Sequence, residues 1–255
     1  MDKLLIFNGI LIAIIVGLLW LVKRYAKTEK SKNLIFAISA VVTILFHYSS
    51  LFIHCFDGTA VKYLSENPNL ILPIYPCNVV MWSCLVYALI KNKNSRVGSF
   101  LADYIFWFGL ISTLVGMFAN VDFIKNPTLL DYDITKSIGA HATLLFSVLL
   151  LPIYGRIKID LKTNLIHIVV CIIEMLIVGA YSNLVFRVLV SDEMAYNVNS
   201  MFLIHSPFDG ISFLTYPVIA LTAIPLYFII FAVCELFAYK KGNRFYNRYF
   251  KKREN

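Results

Sequence analysis

The segment Leu72-Pro73-Ile74-Tyr75-Pro76-Cys77-Asn78 opens an apolar run that continues to Ile90. Two prolines within four residues, then a cysteine and an asparagine, are an odd way to enter a hydrophobic segment. Proline is tolerated in a helix's first turn, where the amide hydrogen it lacks would have no partner anyway. The pattern predicts a helix starting near Pro73, with Cys77 about one turn in. A thiol there faces unpaired amide N–H groups and the positive end of the helix dipole. That setting lowers a thiol pKa and makes the sulfur a nucleophile. The plainer reading is that Cys77 is a small buried apolar residue.

The other cysteines, Cys55, Cys84, Cys171 and Cys234, form no CxxC pair and show no zinc spacing with histidine. Neither a metal nor a cofactor is expected. Ionisable groups inside apolar runs are costly and default to the interior of a bundle, so they are the next candidates. They are His47 and His54, Asp103, His141, His167 and Glu174, and Glu235. Glu174 reads either as a protonated group bonded to a neighbour or as a proton or cation site. Asp103, His167 and Glu235 fall where a structural salt bridge or an interfacial position is expected.

These side chains need elements to hold them. The chain has 255 residues, 59% of them hydrophobic and only 15% charged, against about a quarter charged in a soluble domain. Mean hydropathy is +0.74. This composition excludes a soluble globular domain. The expected fold class is all-α: a polytopic membrane protein with seven transmembrane helices near 4–22, 34–55, 71–91, 98–119, 134–155, 163–189 and 211–239. Each run approaches the roughly 20 helical residues that cross a bilayer core, and the alternation of a membrane barrel is absent. No polar linker divides the chain, so residues 1–239 form one transmembrane domain and 240–255 a basic tail. No cleavable signal pattern precedes the first span.

The loops give an orientation. Lys23, Arg24, Lys27, Lys30 and Lys32 follow span one; Lys91, Lys93 and Arg96 follow span three; Arg156, Lys158 and Lys162 follow span five. The tail adds seven more basic residues, from Lys240 to Arg253. The loops from Asp57 to Asn69, Asn120 to Asp133 and Ser191 to Gly210 are poor in base. The positive-inside rule then puts the N-terminus outside and the C-terminus in the cytoplasm. Topology thus accounts for the net charge of +8, and no nucleic-acid partner is expected. The Ser191–Gly210 loop, with Met201, Phe202, Leu203, Ile204 and His205, reads as an ordinary connector packed on the bundle or as a flap over an outward cavity.

Depth brings two candidates level. Cys77 lies six positions into span three and His141 seven into span five, ~9 and ~10 Å deep at ~1.5 Å per residue. His47 and His54 lie in the outer half of span two, where either could join the same cavity. A cysteine and a histidine at one depth suggest nucleophilic acyl transfer: the imidazole takes the thiol proton and the thiolate attacks an ester carbonyl. Amides near Asn78 could hold the oxyanion. His141 would then protonate the departing alcohol and activate the acceptor. Two other classes stay open. A small-solute or ion transporter would use Glu174 and the histidines, although inverted repeats are not apparent. A seven-span receptor or accessory protein would need no chemistry.

The chain resembles the YwaF-like bacterial integral membrane proteins, related to the animal transmembrane-protein-164 family. The resemblance is carried by Leu72-Pro73-x-x-x-Cys77, by His141 after Gly139, by Asn183 after Gly179, and by Pro207-x-Asp209-Gly210 with Pro217. It implies a cysteine-dependent acyltransferase that moves acyl chains among glycerophospholipids, with Cys77 as acyl acceptor and His141 as base. Phospholipid and lysophospholipid are the partners it implies. Tyr75, Asn78, Asn183, His205, Asp209, His47 and His54 are the candidate binding residues around that pair. Members often carry a histidine where this chain has Tyr75, and an aromatic residue where it has Leu184. Richness in Ile, Lys, Asn and Phe fits an A+T-rich bacterial genome, hence a bacterial cytoplasmic membrane.

Overall fold

The structure is a computed structural model and describes residues 2–120, 123, 126, 128–157, 159–206, 212, 213 and 215–238. The basic tail, Lys158 and Asp209 lie outside the described residues. Among the described residues the chain is all-helical. We number its helices α1 (Asp2–Tyr25), α2 (Glu29–Phe56), α3 (Ala60–Glu66), α4 (Pro76–Leu89), α5 (Arg96–Phe118), α6 (Tyr132–Ile153), α7 (Leu161–Leu189), α8 (Asp192–Val198) and α9 (Tyr216–Ala238). Two 3-10 turns, Pro68–Leu70 and Ser200–Phe202, complete the set.

Six of these helices, α1, α2, α5, α6, α7 and α9, are long and apolar enough to cross a membrane. Most extend beyond the apolar runs that predicted them because polar caps belong to the helix ends. Thr28 accepts from the Ser31 amide ahead of α2, Ser95 from Gly98 ahead of α5, and Asp131 from Asp133 and Ile134 ahead of α6. Such side chains satisfy amides that have no partner inside the helix.

The seventh expected segment differs. Its helix is α4, only 14 residues long, or ~21 Å at ~1.5 Å per residue. It starts at Pro76 and not near Pro73, so Cys77 is its second residue. The reason is local: a residue before proline is driven to extended backbone, and Tyr75 sits at φ −123°, ψ 155°. Leu72 to Tyr75 therefore form a non-helical lead-in.

α5 and α6 are central, with α1 and α9 at the periphery. α1 and α6 each run opposite to α5, and α6 opposite to α2: Asn8 of α1 donates to the Met117 carbonyl near the end of α5 (2.7 Å), and Arg156, just past α6, reaches Asn94 before α5 and Glu29 at the start of α2. The main core gathers Trp107, Ile105, Val80, Val148, Leu151 and Tyr227. Large apolar residues such as Ile6, Ile10, Val16, Ile173 and Ile229 cover the outside, the inverse of a soluble surface and the face a bilayer takes up.

Two glycines set the spacing of the centre. A Cβ on Gly109 of α5 would lie 2.6 Å from Val148 of α6 and 2.9 Å from Val80 of α4. Seven residues on, a Cβ on Gly116 would lie 2.1 Å from Cδ2 and 2.2 Å from Nε2 of His141. The two notches repeat at seven residues on both helices, so they share one face of α5 and receive one face of α6.

Candidate functional site

The non-helical lead-in is held by the segment after α7. The Ser200 hydroxyl donates to the Ile74 carbonyl (3.0 Å), and the Met201 amide donates to the same oxygen (2.9 Å). The Tyr75 hydroxyl donates to the Val198 carbonyl (3.4 Å), and its ring stacks on Phe202. We call α8 with the Ser200–Phe202 turn the flap. Asn183 fastens it from α7: its side-chain oxygen accepts from the Ser200 amide (2.8 Å) and its nitrogen donates to the Ser200 carbonyl (3.2 Å). Gly179, one turn earlier, leaves room for Met201, whose side chain is wholly buried in the main core. Asn199, Met201 and Phe202 all take left-handed backbone, a costly state for side-chain-bearing residues. The Ser191–Gly210 loop is therefore, over its described part, a connector packed into the bundle.

His205 packs beside this flap and is not among the residues lining the Cys77 cavity. Its ring nitrogens face the Ser206 and Tyr196 carbonyls (2.8 and 3.0 Å), and Asn199 receives the Ile204 and His205 amides. His54 is placed elsewhere as well. It bonds Thr59, pairs with Asp57 and stacks on Tyr63 beyond the end of the Cys77 cavity.

Cys77, His141, His47 and Asn78 do come together. They line one cavity between α2, α4 and α6 with Thr43, Met81, Ala140 and Leu144. Its volume is about 20 Å³, room for about one water molecule. The layout is stratified. His47, Cys77, Asn78 and His141 form the layer nearer the flap. One turn further in on each helix stand Thr43, Met81 and Leu144.

Each polar member has a defined setting. Asn78, the third residue of α4, accepts from the Tyr75 amide through its side-chain oxygen (3.2 Å). Its nitrogen lies 3.5 Å from His47 Nε2, which also faces the Asn69 carbonyl at 3.4 Å. The Asn78 amide is taken by the Tyr75 carbonyl (3.0 Å), whereas the Cys77 amide has no backbone partner among the described residues. His141 Nδ1 lies 2.7 Å from the Ser137 carbonyl. A carbonyl only accepts, so Nδ1 carries the hydrogen and, in the neutral ring, Nε2 carries the lone pair. Cys77 is half-buried, while Cys84 and Cys171 are fully enclosed. No hydrogen bond joins the Cys77 thiol to His141 among the described residues.

The remaining ionisable groups sit apart. Asp103 of α5 and His167 of α7 form a buried pair at 3.4 Å, as their position predicted. Glu174 faces Tyr104 on another side of α5. Near the flap end, the Asp133 carboxylate collects Ser50, Tyr63 (2.8 Å) and Lys136 (3.0 Å), tying α2, α3 and α6. Among the described residues no three His, Cys, Asp or Glu side chains gather as a metal would require. Sequence reasoning missed Gly116, Thr43, Met81 and Ser200. Only Gly116 left a trace, as the partner of Gly109 at seven-residue spacing.

An apolar helical bundle enclosing a half-buried cysteine, an asparagine and two histidines defines an integral membrane protein with a small polar cavity near one end. The TMEM164 family model matches residues 2–235, and the chain belongs to that family. No curated protein and no solved structure gives a match to the chain.

Proposed function

We propose that this chain, as a member of the YwaF-like bacterial branch, is a membrane-embedded acyltransferase or transacylase acting on glycerophospholipids through a Cys77 thioester. The observation that carries the reading is the cavity where Cys77, Asn78, His47 and His141 meet from three helices. His141 Nε2 takes the thiol proton, and Sγ attacks the carbonyl of a phospholipid ester. Charge gathers on the carbonyl oxygen, where the unpaired Cys77 amide and the Asn78 side-chain amide are the nearest donors of the α4 N-terminus. The C–O bond breaks, and Nε2–H protonates the departing lysophospholipid oxygen. In the second half, Nε2 takes a proton from an acceptor lysophospholipid hydroxyl. That oxygen attacks the thioester, the C–S bond breaks, and the thiolate regains its proton.

The stratified lining favours this substrate class. A lipid ester has a polar carbonyl above an apolar chain, and the cavity has polar groups above Thr43, Met81 and Leu144. The ester needs more room than one water occupies. α4 touches α6 far less than it touches α2 or α5, so the α4–α6 seam is where the cavity widens.

Seven crossings with the N-terminus outside complete the proposal. The short α4 adds its non-helical lead-in, Leu72 to Tyr75, which carries the segment beyond ~21 Å toward the ~30 Å core thickness. The lead-in's polar backbone is covered by the flap, the condition for non-helical backbone at membrane depth. If α4 did not cross, Lys91, Lys93 and Arg96 would lie on the base-poor side, against the positive-inside rule. The membrane is then the bacterial cytoplasmic one, and the cavity opens toward its outer leaflet. The test is purified protein with labelled phospholipid and lysophospholipid, read by lipid mass spectrometry. Label should move between lipids in the wild type and stay put in Cys77→Ala. Transfer that survives in a folded Cys77→Ala protein removes the proposal.

A further inference from the structure

The end of the bundle away from the flap holds a second and larger hollow. It lies where the α1–α2 turn meets the end of α6, and Lys23, Lys27, Lys32 and Tyr154 stand around it. Its volume is about 200 Å³, ten times that of the Cys77 cavity. Val22 and Ala26 give it an apolar wall, joined by Ile153 of α6. α1 ends three residues after Val22 and α2 begins at Glu29, so the hollow sits where apolar helix gives way to basic loop.

Its charge is unbalanced. Among the described residues no carboxylate lines the hollow; Glu29 reaches it only through Lys32, at 2.9 Å, and is shared with Arg156. Among the described residues the Lys27 ammonium reaches only the Lys23 carbonyl, at 2.8 Å, and no carboxylate pairs with Lys23 or Lys27. Like charges around one hollow repel unless an anion lies between them. The Tyr154 hydroxyl is enclosed and has no hydrogen-bond partner among the described residues, which costs free energy unless a ligand completes it. Lys32 stands over the same tyrosine ring, at 6.0 Å.

We propose that this hollow binds the phosphate-ester head group of an anionic phospholipid. Lys23, Lys27 and Lys32 donate to the phosphate oxygens, the Tyr154 hydroxyl donates to a phosphate or glycerol oxygen, and Val22 and Ala26 lie along the first methylenes. Basic hollows between helices at the membrane surface recognise acidic head groups in this manner. The site is independent of Cys77 and requires no acyl transfer.

The full chain in phosphatidylcholine nanodiscs tests it, with phosphatidylglycerol added in steps and bound lipid counted by native mass spectrometry. Each lysine contributes roughly fivefold in affinity for an anionic surface, so Lys23→Gln/Lys27→Gln should weaken binding about 25-fold. Tyr154→Phe keeps the ring and removes only the hydroxyl, and it should weaken binding several-fold. The control is Lys30→Gln/Lys91→Gln, an equal loss of charge at two exposed positions of the same end; it should lose far less binding than the Lys23/Lys27 pair, because diffuse attraction alone would cost both pairs equally. Inorganic phosphate is titrated in parallel. Weak binding of phosphate beside tight binding of phosphatidylglycerol assigns the bilayer as source, and equal binding assigns a soluble phosphate ester. Equal losses in the control and the Lys23/Lys27 pair mean diffuse attraction without a built site, and overturn the proposal. So does unchanged phosphatidylglycerol binding in Lys23→Gln/Lys27→Gln.

Discussion

Gly116→Ala puts one methyl group against the imidazole on which the proposed acyl transfer depends. Ordinary contact begins near 3.4 Å, and the new carbon would lie 2.1 Å from Cδ2 and 2.2 Å from Nε2 of His141. The ring must move by about 1.2 Å, and a misplacement of about 1 Å costs about 10²-fold in rate. Overpacking costs about 1–3 kcal/mol of stability. Losing the Nδ1–Ser137 bond would add about 0.5–1.5 kcal/mol. The assay is label transfer between phospholipid and lysophospholipid, beside a thermal melt in detergent. Gly116→Ala should melt lower yet fold, and transfer at about a hundredth of the wild-type rate. Gly109→Ala, which meets Val148 and Val80 instead, should lose similar stability without a comparable loss of rate. Gly17→Ala, with open space around it, should leave transfer unchanged. In a His141→Ala background, Gly116→Ala should do nothing further to rate, because the group it displaces is gone. Transfer by Gly116→Ala within about threefold of wild type would refute the claim that Nε2 must stay where the glycine admits it.

Cys77→Ser should keep the fold and lose nearly all transfer, since an alcohol is a far weaker nucleophile than a thiolate; a lipid-like thiol probe should label the wild type and spare the variant. Asn183→Ala removes both bonds to Ser200 and should lower stability by about 1–3 kcal/mol; limited proteolysis should then cut first in 192–206. Lys93, buried at the end of α4 with its ammonium on the Tyr87 and Ala88 carbonyls, has its pKa pulled from 10.5 to about 8 by burial, with Arg156 adding to the effect. The unfolded chain binds the proton more tightly, so this group's contribution to stability rises as pH climbs from about 8 to 10.5 and is flat below that window. Melting curves of wild type and Lys93→Met should diverge across that interval in favour of the wild type; parallel curves would refute the shift.

Much of this was legible in the sequence because lipid simplifies the code. Apolar runs near twenty residues have one helical solution, and six of them are helices long enough to span. The level of Cys77 and His141 followed from counting residues, and the two line one cavity. What escaped was decided by contacts between distant segments. Pro76 sets the start of α4 locally, but the anchoring of the lead-in by Ser200 and Met201 on the Ile74 carbonyl is an interaction no local pattern encodes. His47 and His54 looked equivalent on α2, but seven residues carry His54 past the cavity to Thr59 and Tyr63. Asn183 and Gly179 were visible as motif residues, yet their work on the flap depends on a backbone they fasten 17 or more positions away. The lysine-lined hollow was hidden in residues that orientation alone explained.

The paired notches of α5 bear on which part of the bundle can yield. With Val148 seated at Gly109 and His141 at Gly116, α6 cannot slide along α5 by a fraction of a turn without driving a side chain into backbone. The imidazole is therefore the anvil of the site. α4 is short, and it hangs from an unwound strap whose grip is a handful of hydrogen bonds to the flap. On the proposed function, admission of a bulky ester would fall to that helix, so the sulfur would travel to a stationary base, and the stiffness of the strap would set how often the two meet.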